Sequence, residues 1–408
     1  MIYIGVSICL INDKPDISGV KEGKVAAEFT QPAIVRVANI VTLSWYIRDN
    51  CSEDNSILGK YDYSSDVVVK GTGFIINPNG YLVTNAHAVQ YSKMNDDDIV
   101  NCKDIISDND RTQVKNSIIE KFAKDIDEDS ECVIDDLNDK GAKLYIKVIK
   151  KEIKVILQSG DAYCGEIKSY GNPIALGKDV AVLKIEKKNL PTIKLGDSDK
   201  VQLQDDVLLW GYPAASDCLF LSEKSKFLPT IIPGAISSVD KKSEQCVAVY
   251  TVAAAVAQGG SEGPVIGEDS KVIGLIISGE NAGYNRDIYG QNFVIPANTV
   301  KEFVDQSGGK NEQGLVDKLY KEGLILYWSG YYKDALVKFE RVQRLLPDHP
   351  QVKKYIAQCE QNSCKSKILW CEYKTIFIIT DVAAAIVIIV LVAIVLKCNK
   401  RKCKRECK

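Results

Sequence analysis

Nine short runs of β-branched and aromatic residues, each closed by Gly, Pro, Asn or Asp, constrain this chain more than any other feature. They fall at 33–41, 67–76, 81–84, 144–157, 180–185, 207–211, 247–252, 272–278 and 293–295. Runs of this length and punctuation read as strands of an all-β barrel or sandwich. Pro78-Asn79-Gly80 marks a turn between the second and third. Residues 91–142 break the rhythm. They are polar, acidic and helix-prone around 114–123, and read as an insertion on the rim with no part in the chemistry.

Composition narrows the function classes. The 52 Lys and Arg nearly balance 54 Asp and Glu, so no global basic field invites nucleic acid. Histidine occurs twice, as His87 and His349. A multi-His metal site is thereby excluded, and any His-dependent catalysis must choose between two positions; His349, at a polar turn, reads as solvated. The 13 cysteines show no doubled C-x-x-C spacing, so a zinc site is not expected and the disulfide status stays open. No metal or cofactor is expected.

The C-terminal region has a different periodicity. Residues 313–362 turn helical, and Gly323, Ala335, Phe339 and Pro347 stand at offsets that resemble one tetratricopeptide repeat. One repeat cannot bury its own faces, so a protein partner or self-association is implied. An unrelated helical hairpin is the alternative. Residues 375–396 are apolar but for Asp381, long enough to cross a bilayer. Seven Lys and Arg follow in 397–408, against Lys365, Lys367 and Lys374 on the other flank. The positive-inside rule places that tail in the cytoplasm and the rest outside. Residues 1–22 read as a leader, apolar like a signal sequence but without a basic start. A tail-anchored arrangement facing the cytosol is the rival.

Three phrases carry chemistry within residues 23–307. Thr84-Asn85-Ala86-His87-Ala88-Val89 follows a strand–turn–strand; Asp179-Val180-Ala181-Val182-Leu183-Lys184-Ile185 opens an apolar strand; and Gln258-Gly259-Gly260-Ser261-Glu262-Gly263-Pro264 precedes another. Together with Leu195-Gly196-Asp197-Ser198, they make residues 30–305 resemble the HtrA/Deg branch of the trypsin-like serine proteases. The resemblance implies a mainly β, trypsin-like double β-barrel carrying the acidic helical insertion. It implies His87 as general base, Asp179 as its orienting acid and Ser261 as nucleophile. Gly259 and Ser261 would supply the oxyanion N–H groups. Ala255 and Val256 would line a primary pocket suited to small or aliphatic side chains of protein or peptide substrates. Glu262 stands where the family has glycine, and Gly260 where it has Asn or Asp. If the backbone at 262 needs glycine-only angles, the oxyanion turn is strained. The two functional expectations are therefore a membrane-anchored serine endopeptidase and an impaired pseudoprotease that binds proteins.

Overall fold

A computed structural model describes residues 15–48, 62–103, 105–127, 130–139, 142–173, 176–213, 217–218, 221–255, 262–277, 291–367 and 370–406. Its first elements are α1 (Glu22–Thr30), β1 (Ile34–Arg48), β2 (Tyr63–Ile75) and β3 (Tyr81–Thr84). A 3-10 turn, His87–Ser92, leads into helices α2 (Asp96–Asn101), α3 (Asp108–Ile126) and α4 (Ser130–Asp139). Strands β4 (Lys143–Ile156), β5 (Ala162–Cys164), β6 (Glu166–Tyr170) and β7 (Ala181–Lys184) follow. The sheet runs β5-β4-β1-β2-β3-β7-β6. Its two terminal strands, β5 and β6, are separated only by Gly165, so one bent stretch of chain joins both ends of the sheet.

The second set is β8 (Asp206–Gly211), β9 (Thr230–Lys242), β10 (Ala248–Ala253), β11 (Glu262–Ile266), β12 (Val272–Ile277) and β13 (Gln291–Pro296). These close into a barrel in the order β10-β13-β12-β11-β8-β9. Helix α5 (Ala297–Gln306) follows. The main core unites both sets through Phe74, Leu82, Val182, Leu183, Leu275 and Ile295, all essentially inaccessible. The expected mainly β arrangement is present as one closed barrel and one seven-stranded sheet.

The acidic helices fold for local reasons. Ser107 caps α3: its hydroxyl accepts from Asp110 N–H at 3.1 Å, while the Asp110 carboxylate accepts from Ser107 N–H at 2.9 Å. Such a reciprocal box satisfies two donors that the first turn cannot. Left-handed Asp127 ends the helix. Ile99, Ile118, Ile119 and Ala123 from these helices form a second core with Val41, Leu43, Trp45 and Ile47 of β1. Long β1 thus serves two cores, its first half in one and its second half in the other.

Contacts divide the chain into two compact units, residues 21–318 with 343–351, and residues 1–20, 319–342 and 352–408. The second contains most of α6 (Leu315–Trp328) and α7 (Tyr332–Leu345), all of α8 (Val352–Gln361) and α9 (Trp370–Glu406). A Cβ at Gly323 would lie 2.7 Å from the Phe339 ring, so glycine permits the close approach of α6 and α7. Tyr355 of α8 stacks on Phe339 at 5.2 Å and meets Tyr320 edge-on at 6.3 Å. Within α9, Ile378–Lys397 is long and apolar enough to cross a membrane.

Candidate active site

Strand register builds the first half of the site. β3 runs antiparallel to β7 with Thr84 opposite Ala181. The residues that follow β3 therefore pass those that precede β7. The Thr84 hydroxyl donates to the Thr72 carbonyl at 2.8 Å, fixing the end of β3 to β2. Asn85, fully buried, donates to the Ile276 carbonyl at 3.1 Å and to Asp179 Oδ2 at 3.3 Å. The chain then turns, and the His87 N–H donates to Asp179 Oδ1 at 2.8 Å. The other carboxylate oxygen lies 2.6 Å from His87 Nδ1.

Asp179 is 0% exposed and His87 8%. A buried carboxylate survives only when hydrogen-bonded, and Asp179 accepts from a backbone N–H, an amide and an imidazole. An ionised carboxylate can only accept, so opposite one the imidazole donates through Nδ1. Tyr170, half-buried on β6, lies close enough to feel this charge. Burial first, and the Asp179 carboxylate second, push its phenol up to about 12.

The second barrel meets this arrangement at Thr72. Its hydroxyl accepts from the Tyr212 N–H at 3.0 Å, at the end of β8. On β11, Gly263 has φ 143°, and a Cβ there would lie 2.1 Å from the Trp210 carbonyl and 3.0 Å from Thr72 Cγ2. Position 263 therefore demands glycine. Position 262 is a strand residue opposite Ile277. Among the described residues, the non-glycine positive-φ positions are Asp127, Asn172, Asn189, Gln204, Cys246 and Ser270. Ser261, Gly259 and Val256 lie outside the described residues. Ala255 is exposed just beyond β10, and the neighbouring Ala254 carbonyl accepts from Asn292 Nδ2 at 3.2 Å.

A half-buried ion pair that sequence reading missed stands beside this joint. Arg36 of β1, 5% exposed, donates to Asp217 Oδ2 at 2.5 Å, and Lys70 joins the same oxygen at 3.1 Å. The guanidinium also sits 5.7 Å over the Tyr212 ring. Burial raises the Asp217 pKa, but hydrogen bonds from Arg36 and Lys70 outweigh it and hold the carboxyl below its ordinary value. No motif announces the pair, because its members are 181 residues apart.

His349 corrects an expectation. It is 3% exposed, not solvated, and burial pulls its pKa down from 6.5 to about 3. His87 differs in that its Nδ1 lies 2.6 Å from the Asp179 carboxylate. Among the described residues, no group of three or more His, Cys, Asp or Glu is placed to hold a metal ion.

A seven-stranded sheet and a closed barrel thus share one core beside a buried His–Asp pair. The trypsin-like peptidase domain pattern matches residues 71–275, half of the chain. The chain belongs to that family. It is 27% identical over 256 residues to a probable periplasmic serine endoprotease, DegP-like, of Chlamydia muridarum, covering 61% of this chain and 36% of the relative. A serine protease, HtrA-like, of Staphylococcus haemolyticus is 29% identical over 146 residues, 33% of this chain and 21% of the relative. The solved HtrA-type protease AlgW with decapeptide aligns with 17% identity and a TM-score of 0.41, over 71% of this chain and 67% of that one. The chain thus spans about a third of the length of the curated relatives it matches.

Proposed function

We propose that the chain is a membrane-anchored serine endopeptidase that hydrolyses protein substrates through an acyl-enzyme intermediate. The observation that carries this reading is the 2.6 Å approach of His87 Nδ1 to the fully buried Asp179 carboxylate. In the proposed reaction, Ser261 Oγ attacks the scissile carbonyl as His87 Nε2 takes its proton. Asp179 holds the ring in the required tautomer and stabilises the imidazolium that forms. The N–H groups of Gly259 and Ser261 receive the oxyanion. His87 then returns the proton to the leaving amine, and water repeats the sequence to release the acid. Strand geometry at 262 and a glycine at 263 support a competent turn over an impaired one. Ala255 and Val256 line the primary pocket in this reading and favour small or aliphatic side chains.

Ile378–Lys397 anchors the chain in a bilayer, with the basic tail cytoplasmic and the barrels outside, in keeping with the periplasmic description of the DegP-like relative. Residues 313–362 form a tetratricopeptide-like module that receives a protein partner or a second copy, the close contact of Gly323 with Phe339 supporting that assignment. The reaction is tested by casein cleavage with the purified chain. Ser261→Ala lowers the rate by about 10⁴-fold or more with the fold intact. Cleavage persisting at the wild-type rate sinks the assignment.

A further inference from the structure

The three-stranded extension made by β1, the outer half of β2 and β4 has two unlike faces. Val41, Leu43, Trp45 and Ile47 point inward to the core shared with α2–α4. Register fixes what stands on the other side. Thr42 lies between Asp66 and Lys150, Ser44 between Ser64 and Lys147, and Tyr46 opposite Tyr145. Because strand side chains alternate, Arg48, Lys143, Lys147, Lys150 and Lys154 gather on this outer face. Among the described residues, Asp66 and Glu152 are the carboxylates of β2 and β4 on this face, and Asp217 reaches its far end through Lys70.

These acids are already engaged, Asp217 by Arg36 and Lys70. Asp66 accepts from the Thr42 hydroxyl at 2.7 Å. Glu152 holds Lys150 at 2.7 Å and Lys154 at 3.2 Å. Among the described residues, neither Lys143 nor Lys147 has an ion-pair partner. Between these charges lies apolar surface that water does not favour. Tyr46 and Tyr145 stack at 5.6 Å with Arg48 4.9 Å over the Tyr46 ring. Ile149, beside the bulge in β4, is 57% exposed, and Val68 41%. The strip from Lys143 to Lys154 is about 35 Å long at the usual rise of a strand.

We propose that this outer face docks on the anionic headgroup layer of the bilayer that holds the chain. Ammonium and guanidinium groups meet lipid phosphates, the tyrosine rings suit the interface, and Ile149 reaches the acyl boundary. The charge is complementary to anionic lipid, and the acidic helices lie on the opposite side of the sheet. The inference rests on the anchored reading of Ile378–Lys397, because a tether raises the local concentration of headgroups to where a modest patch binds. Docking would hold the barrels in a fixed orientation to the membrane surface.

The test uses the full chain in nanodiscs of phosphatidylcholine, with or without phosphatidylglycerol, doped with one lipid that carries a photoreactive headgroup and one that carries a photoreactive acyl chain, the latter to label 378–397. Cross-links are mapped by mass spectrometry. With phosphatidylglycerol present, cross-links on 143–154 exceed those on Asp108–Ile126 by at least about tenfold, and they fall as far in high salt. The triple variant Lys143→Gln, Lys147→Gln, Lys150→Gln loses them while its cross-links within 378–397 persist. Equal labelling of both faces, or no dependence on the anionic lipid, overturns the proposal. So does protection of the lysines by soluble polyglutamate but not by the discs, which would assign the face to an acidic polypeptide. Absence of cross-links within 378–397 as well would instead remove the anchor on which the inference rests.

Discussion

At the scale of single residues, the site depends on burial deciding which groups hold a charge. Asp179 is inaccessible yet accepts three hydrogen bonds, so its charge is matched donor by donor. His349 shows the opposite outcome. Burial lowers its pKa from 6.5 to about 3, and the nearby Asp348 charge opposes this only weakly. The unfolded chain therefore binds a proton that the folded chain refuses between those two values. His349 contributes stability above about pH 6.5 that is lost as pH falls towards 3, with a slope of up to about 1.4 kcal/mol per pH unit. Chemical denaturation between pH 7 and 4.5 should show this slope in the wild type and a shallower one in His349→Gln. Equal slopes would mean that His349 titrates alike in both states. Scarcity of histidine pointed to two candidates; only the packing showed why the second is silent.

At the scale of elements, what was legible in the sequence tracks the strength of local pattern. The apolar runs at 81–84 and 272–278 correspond to β3 and β12 almost residue for residue. β5 and β6 were invisible because Ala162–Cys164 and Glu166–Tyr170 are short, polar and half-exposed; they pair only because β4 and β7 present edges. β9 was hidden by Pro233-Gly234, which reads as a turn but falls inside Thr230–Lys242. Of the acidic helices only α3 was legible, as helix-prone residues 114–123, whereas the core that Ile118 shares with β1 was not, because the two are far apart in sequence. For the site, the three phrases located the His and Asp, while the Arg36–Asp217 pair has no local signature. The helix pair α6–α7 offers a direct test of element packing. Gly323→Val forces a side chain against Phe339 and should cost about 1–3 kcal/mol. Hydrogen exchange should show faster exchange confined to α6–α8 with casein cleavage retained; unchanged protection would mean the contact is slack.

At the scale of the whole molecule, the chain carries a trypsin-like peptidase domain and, further on, an apolar helix followed by a basic tail. In the proposed topology the seven basic residues after Leu396 outweigh the three between Lys365 and Lys374 and would hold the rest of the chain outside the cytoplasm. Protease added to intact cells or spheroplasts should then digest the barrels and spare the tail; the reverse pattern assigns the chain to cytosolic substrates. The central claim, that His87 and Asp179 activate Ser261, is reached most directly by treating the full chain with a fluorophosphonate and locating the adduct by mass spectrometry. The account predicts a single adduct on Ser261, absent in Ser261→Ala, slowed by about 10⁴-fold in Asp179→Asn and undiminished in Glu262→Gly. A wild-type chain that takes up no probe, or takes it up on another serine, contradicts it.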